Sequence, residues 1–222
     1  LVALKEAGFE IVEFSPIAGD ALPPDTDAVY FGGGYPESFA RELANNVKLA
    51  AQLRHAANLG MPIYGEYGGL IYLGRSLTGF DGVTYPMSGV LPIDFVMDPA
   101  YLQIRYIELT TRFDSLLGPA GTVIRGQEFH QSRVVRSEIS ADFYKAKTSE
   151  GREYIDGYQY QSVVASYAHI YLNSCPSVAH SFICAAKRFR DIRFGGTNPL
   201  NLLEKPLGSK KTARSAWNNV KS

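Results

Sequence analysis

Pro62-Ile63-Tyr64-Gly65-Glu66-Tyr67-Gly68-Gly69-Leu70-Ile71-Tyr72-Leu73 is the stretch that decides the fold. Pro62 to Gly65 reads as a short apolar strand, and Leu70 to Leu73 opens a helix. Between them lies the turn Gly65-Glu66-Tyr67-Gly68-Gly69. A strand that meets a helix through such a turn holds its central side chain at the tip, on strained backbone among small neighbours. The amides that follow the tip are placed to stabilise an oxyanion. An ordinary glycine-rich turn between strand and helix would carry the same letters, and this segment alone does not separate the two.

Upstream, Ala28-Val29-Tyr30-Phe31 is a second short apolar run and ends in Gly32-Gly33-Gly34-Tyr35-Pro36-Glu37. A buried parallel strand that ends in glycines brings bare backbone to the edge where α/β sheets collect ligands. Those amides are candidates for the other half of an oxyanion hole. A tight turn before a helix, with Glu37 complementing its dipole, is the plain alternative. Phe39 to Leu59 reads as one helix, with Phe39, Leu43, Val47, Leu49, Ala50 and Leu53 on a broad apolar stripe. Phe9 to Phe14 alternates like a strand, after a helix that ends at Ala7-Gly8. The sequence opens inside that helix, at Leu1 and without Met. A doubly wound domain begins with a strand, so the first strand is expected to be missing and the chain to be a fragment.

Downstream, residues 79–157 are rich in aromatic and β-branched side chains, notably Tyr101 to Thr111 and Thr122 to Ile124, and are expected to form antiparallel strands. Arg125-Gly126-Gln127-Glu128-Phe129-His130-Gln131-Ser132 is a dense polar run that, alone, suits a solvated loop. Gln161 to Ile170 reads as a late strand. It carries Ser166-Tyr167-Ala168-His169, which would set a base near the elbow tip. A helix is expected from Pro176 to Arg190, then a flexible tail over residues 194–222. Gly208-Ser209-Lys210-Lys211-Thr212 lacks the upstream glycine and strand of a phosphate loop. The division expected is one α/β domain over residues 1–193, built on a mixed, mostly parallel sheet.

The bulk numbers exclude several classes. With 22 basic and 22 acidic residues the formal net charge is zero, so general binding to nucleic acid or an anionic membrane is not expected. No apolar run approaches the ~20 residues a membrane-spanning helix needs. The two cysteines, Cys175 and Cys184, form no metal pattern, and a cytoplasmic protein is the expectation.

In this order, four segments resemble the class I glutamine amidotransferase domain of the cobyrinate a,c-diamide synthase (CobB/CobQ) family. They are Phe31-Gly-Gly-Gly-Tyr-Pro-Glu37, Tyr64-Gly-Glu-Tyr-Gly-Gly-Leu-Ile-Tyr-Leu-Gly74, Gly118-Pro-Ala-Gly121 leading to Gly126-Gln-Glu-Phe-His-Gln-Ser132, and Ser166-Tyr-Ala-His169. The resemblance runs from about Leu1 to Arg190. It implies a three-layer fold with a nucleophile elbow that releases ammonia from glutamine. An ATP- and Mg2+-dependent synthetase domain, absent from this chain, would use that ammonia to amidate the a and c carboxylates of a corrinoid or related tetrapyrrole in cobalamin biosynthesis. No cofactor or metal is implied for this domain itself. The implied site has its nucleophile at the position of Tyr67 and its base at His169. Gly32, Gly33, Gly34 and Gly68 would hold oxyanion and substrate, and Tyr35, Glu37, Glu66, Glu128, His130 and Ser132 would line the site.

Three positions depart from the family pattern. Tyr67 stands where the family has cysteine, Gln127 where it has histidine, and Tyr171 where a second histidine is expected after His169. The first bears on chemistry. A thiol ionises near ~8.5 and a phenol near ~10, and the phenol is the poorer acyl acceptor. Its oxygen also lies farther from the backbone and would overshoot the reacting carbon. Little or no glutaminase activity is therefore expected. Two readings remain, a degenerate or altered glutaminase domain and a non-enzymatic pseudo-amidotransferase that serves as a binding or docking module. A hydrolase with another elbow nucleophile is disfavoured, since no serine occupies the tip.

Overall fold

A computed structural model describes residues 1–194; the tail expected over 194–222 lies, apart from its first residue, outside the described residues. Three sheets organise the chain. The central one has the order β1 (Val29–Phe31), β2 (Ile63–Glu66), β12 (Val163–Ser166), β11 (Tyr158–Tyr160), with β1, β2 and β12 parallel and β11 antiparallel. A five-stranded antiparallel sheet orders β10 (Glu153–Asp156), β9 (Tyr144–Thr148), β6 (Gln103–Thr111), β7 (Val123–His130) and β13 (Ala168–Ile170). The third sheet orders β4 (Thr84–Pro86), β3 (Ser76–Thr78), β5 (Ile93–Met97) and β8 (Ser132–Ser137). The helices are α1 (Val2–Glu6), α2 (Ala40–Asn45), α3 (Val47–Asn58), α4 (Gly68–Leu73) and α5 (Pro176–Phe194). None of the described helices is long and apolar enough to cross a membrane.

Alternation along the central strands feeds two cores. Ile63, Val163 and Ala165 enter one with Leu49 and Leu53 of α3 and Leu70, Ile71 and Leu73 of α4. Tyr64 and Val164 enter the other with Val178, Ala179 and Phe182 of α5. The central sheet is thus covered on both faces, which is why β2 and β12 are buried at every residue. The α5 core also takes Ile107, Leu109, Ile124 and Ala146 from the five-stranded sheet.

Three expected elements come out differently. The single helix expected from Phe39 to Leu59 is interrupted at Asn46, whose ψ of 61° leaves the helical region. The Asn46 side chain accepts from the Leu49 N–H and donates to the Pro16 and Asp20 carbonyls, so it caps α3 while anchoring the loop before β1. Phe39 and Val47 are correspondingly exposed, although the stripe had placed them inward. The late strand expected over Gln161–Ile170 is two strands. β12 pairs with β2, Tyr167 breaks the run, and β13 joins β7 in the other sheet. Finally, residues 9–14 are no strand. An extended segment becomes a strand only by pairing, and a cavity of about 640 Å³ lies where residues 9–14 and β1 face each other.

Asn46→Ala removes a cap and two tertiary hydrogen bonds. Urea unfolding should show a loss of about 1–3 kcal/mol; an unchanged midpoint would mean that Asn46 does not hold this junction.

Candidate active site around the elbow

The elbow forms as the glycines require. β2 ends at Glu66, α4 begins at Gly68, and Tyr67 between them has φ 37° and ψ −92°. Positive φ is rare for a side chain this large and is held only where the surroundings over-determine it. Here the Tyr67 N–H donates to the Ser166 carbonyl at 2.9 Å, and the Tyr67 carbonyl accepts from the Ile71 N–H at 2.9 Å. The small residue after the tip permits a close approach. A Cβ on Gly68 would stand 3.0 Å from the Gly34 nitrogen, so the backbone of the glycine loop lies directly against the elbow.

His169 arrives from the far end of the chain because β13 leaves the central sheet at Tyr167. Its Nδ1 lies 3.6 Å from the Glu66 carboxylate, and its ring centre is 6.0 Å from that of Tyr67. The His169 ring also fills the space above Gly33, where any Cβ would overlap it. Glu66 is buried, and its other oxygen accepts the Ile170 N–H at 3.0 Å. One carboxylate thus fixes the β13 backbone and faces the imidazole of the preceding residue. Burial, and then this carboxylate, push the neighbouring Tyr30 phenol far above its usual range.

Tyr67 is only 4 % exposed. Its ring sits among three others, with centres 6.2 Å from His130, 6.4 Å from Tyr167 and 6.0 Å from His169. Burial, with smaller contributions from Glu37 and Tyr35, drives its hydroxyl well above an ordinary phenol, so it is neutral at physiological pH. His130 stacks on Tyr167 at 3.8 Å with planes 9° apart, and its Nδ1 donates to the Ser132 carbonyl at 2.9 Å. Burial lowers the His130 pKa and keeps the ring neutral. Ser132 Oγ meets the Tyr167 hydroxyl at 3.3 Å.

The remaining candidates divide by position. Glu128 is buried on the inner face of β7, held by Arg105 Nε at 2.5 Å and the Tyr154 hydroxyl at 2.7 Å. Its oxygen is 3.9 Å from His130 Nε2, so it meets the site through His130. The dense run 125–132 is therefore β7 and the start of β8, with buried alternate residues, and not the solvated loop that its polarity suggested. Glu37 opens the 3-10 turn Pro36–Phe39, and burial raises its pKa. Tyr35 is exposed. Gln127 is the register partner of His169, so the two side chains share one face of the sheet, and Tyr171 is exposed beyond β13. Tyr167 and Ser166 are partners that sequence reading left without a role. Their signal was their place in the four-residue run before His169.

In chemical terms, the elbow sets a side chain, an imidazole backed by a carboxylate, and two glycine backbones around one point. Acyl-transfer sites use groups of these kinds. The side chain at the tip is a neutral, packed phenol.

The family model of the CobB/CobQ-like glutamine amidotransferase domain matches residues 1–176. A cobyrinate a,c-diamide synthase of Thermoplasma acidophilum is 39 % identical over 182 residues, 82 % of this chain and 41 % of that protein. One of Streptococcus sanguinis is 39 % identical over 171 residues, 76 % of this chain and 37 % of that protein. The chain thus spans about two fifths of the length of these curated relatives. A solved glutamine amidotransferase covers 84 % of the chain with a TM-score of 0.56 and 18 % identity, which shows the fold alone.

The overlap at Gly33 yields a test. Gly33→Ala should shift the His169 imidazole resonances in a 1H–13C spectrum. Gly34→Ala, which meets nothing within 4 Å, should leave them in place. Equal shifts in both variants would contradict the placement of His169 over Gly33.

Proposed function

The chain belongs to the CobB/CobQ-like glutamine amidotransferase domain family, and from that membership we propose that it is the glutaminase domain of a cobyrinate a,c-diamide synthase-like enzyme, disabled at position 67. The working form of such a site needs a cysteine at the tip. Its thiolate would attack the glutamine γ-carbonyl carbon, with the oxyanion against the Gly34 and Gly68 backbones. His169 would take the thiol proton and return it to the departing nitrogen, so ammonia leaves and a glutamyl thioester remains. Water, deprotonated by His169, would then cleave the thioester to glutamate and restore the thiol. Glu66 would hold His169 in place as its positioning carboxylate. The ammonia would pass to an ATP-dependent synthetase partner that amidates the a and c carboxylates of a corrinoid or related tetrapyrrole. ATP and Mg2+ would belong to that partner. A cytoplasmic location suits the two free thiols.

The observation that carries the proposal is Tyr67 itself, sitting at the elbow tip on positive φ with a buried side chain and a neutral hydroxyl. The same burial favours a second reading, in which Tyr67 closes the glutamine pocket and the domain serves its partner as a docking module. Such a partner would run on free ammonia.

Tyr67→Cys decides between them when ammonia release from glutamine is measured beside the parent. We expect the parent near background and the variant at least about 100-fold above it, the scale of a lost nucleophile. Robust release by the parent would overturn the assignment of Tyr67 as the disabling residue. Silence in both would favour the docking reading.

A further inference from the structure

Glu37, Glu66 and Glu128 are the carboxylates of the elbow site and its walls, and two of them are satisfied within the chain. Glu66 accepts the Ile170 N–H, and Glu128 accepts from Arg105 and Tyr154. Glu37 is not satisfied in this way. Its own amide bonds to the carboxyl group, but Oε2 is buried and has no hydrogen-bond partner among the described residues. A carboxylate oxygen buried without a donor is costly, and such groups are rare except where function or solvent supplies the partner. The place of Glu37 says which partner would suit it. It stands on the turn Pro36–Phe39, just beyond the glycine loop, and that turn packs on α4, the helix that starts at the elbow. Gly34 itself lies against Gly68. The Tyr67 ring extends from the tip into this corner, where the groups that act on its hydroxyl are Glu37 first, then Tyr35 and the Gln131 backbone. The ring thus lies along a path that begins beside His169 and ends at Glu37.

Resting on the glutaminase reading of the elbow, we propose that Glu37 Oε2 is the acceptor for the α-ammonium group of glutamine, and that the Tyr67 ring fills the place of that substrate. A short methylene chain separates the reacting carbonyl of glutamine from its ammonium, a span comparable to that of a phenol ring. With the carbonyl held against the Gly34 and Gly68 backbones, the head of the molecule falls on the side of the glycine loop, where Glu37 has its unpaired oxygen. The ammonium would supply the missing donor as a charge-assisted hydrogen bond. It would also supply the opposite charge in a place where burial disfavours a bare carboxylate. A carboxamide that lacks the ammonium would leave Oε2 unpaired, so the site would favour α-amino acid amides over plain amides. Glu37 is in this sense a specificity residue. It holds the head of the substrate and takes no part in making or breaking bonds.

Binding can be tested without activity. Tyr67→Gly in the full chain removes the ring, and glycine suits the positive φ at the tip. Glutamine is titrated into this variant by calorimetry beside glutaramate, which is glutamine without its α-ammonium. Glutamine should bind at least about tenfold more tightly. Glu37→Gln in the same background should abolish that advantage, weakening glutamine while leaving glutaramate within about twofold. Glu42→Gln, which removes an exposed carboxylate of α2, should change neither. Equal affinity for the two compounds, equal weakening of both by Glu37→Gln, or no saturable glutamine binding to the folded variant would overturn the subsite. Should Tyr67→Gly not fold, Tyr67→Cys carries the same comparison, as kcat/KM where it turns over and as affinity where it does not. Ammonia release by Tyr67→Cys with a glutamine-to-glutaramate preference that Glu37→Gln leaves unchanged would overturn the subsite alone. A silent Tyr67→Cys that still shows the Glu37-dependent preference would support the subsite and count against the glutaminase reading.

Discussion

The Glu66 carboxylate, by accepting the Ile170 N–H at 3.0 Å, ties the end of β2 to a strand that belongs to a different sheet. Almost everything about the site depends on that tie. Up to Ser166 the late chain is a strand of the central sheet; from Ala168 it pairs with β7. The crossing at Tyr167 would separate the two layers if nothing bridged them. The Ile170 N–H donated to Glu66 bridges them, and within the central sheet the Tyr67 N–H donated to Ser166 holds the elbow to the end of β12. They fix the elbow on one side and His169 on the other. The bond to Glu66 is also costly to disturb, since breaking it leaves the buried Ile170 N–H without its acceptor.

Glycine is the second requirement, and it acts through absence. The glycine loop lies against the elbow because Gly68 has no Cβ, and His169 reaches the tip because Gly33 has none. The tip itself carries the large ring of Tyr67. That ring takes the room between His130, Tyr167 and His169. The elbow, the glycine loop and His169 are brought together, and the side chain at their centre is a buried, neutral phenol.

Much of this was legible in the sequence, and the reasons are local. The elbow, the glycine loop and the apolar strands β1, β2 and β12 follow from short-range rules of backbone sterics and burial. Asn46 was harder, since its side chain caps a helix and anchors a distant loop at once, and apolar spacing alone reads straight through it. The division at Tyr167 was invisible because the two halves of the run share one strand-like composition, and only partners far along the chain decide which sheet each joins. The polar run at 125–132 misled in the opposite sense. Its Glu128 carboxylate is buried, and what satisfies it is Arg105 on β6 and Tyr154 on β10. Residues 9–14 alternate as a strand should but lack the partner that would make them one.

The central claim is that position 67 is the reactive point of an otherwise intact glutamine site. Covalent labelling tests it most directly. A glutamine analogue with an electrophilic chloroketone in place of the γ-amide is offered to the parent and to Tyr67→Cys, and the adducts are mapped by mass spectrometry. The account predicts one adduct on residue 67 of the variant, displaced chloride, competition by glutamine, and no adduct at Tyr67 in the parent. Labelling of Cys175 or Cys184 as fast as position 67, or labelling that glutamine does not slow, would contradict it.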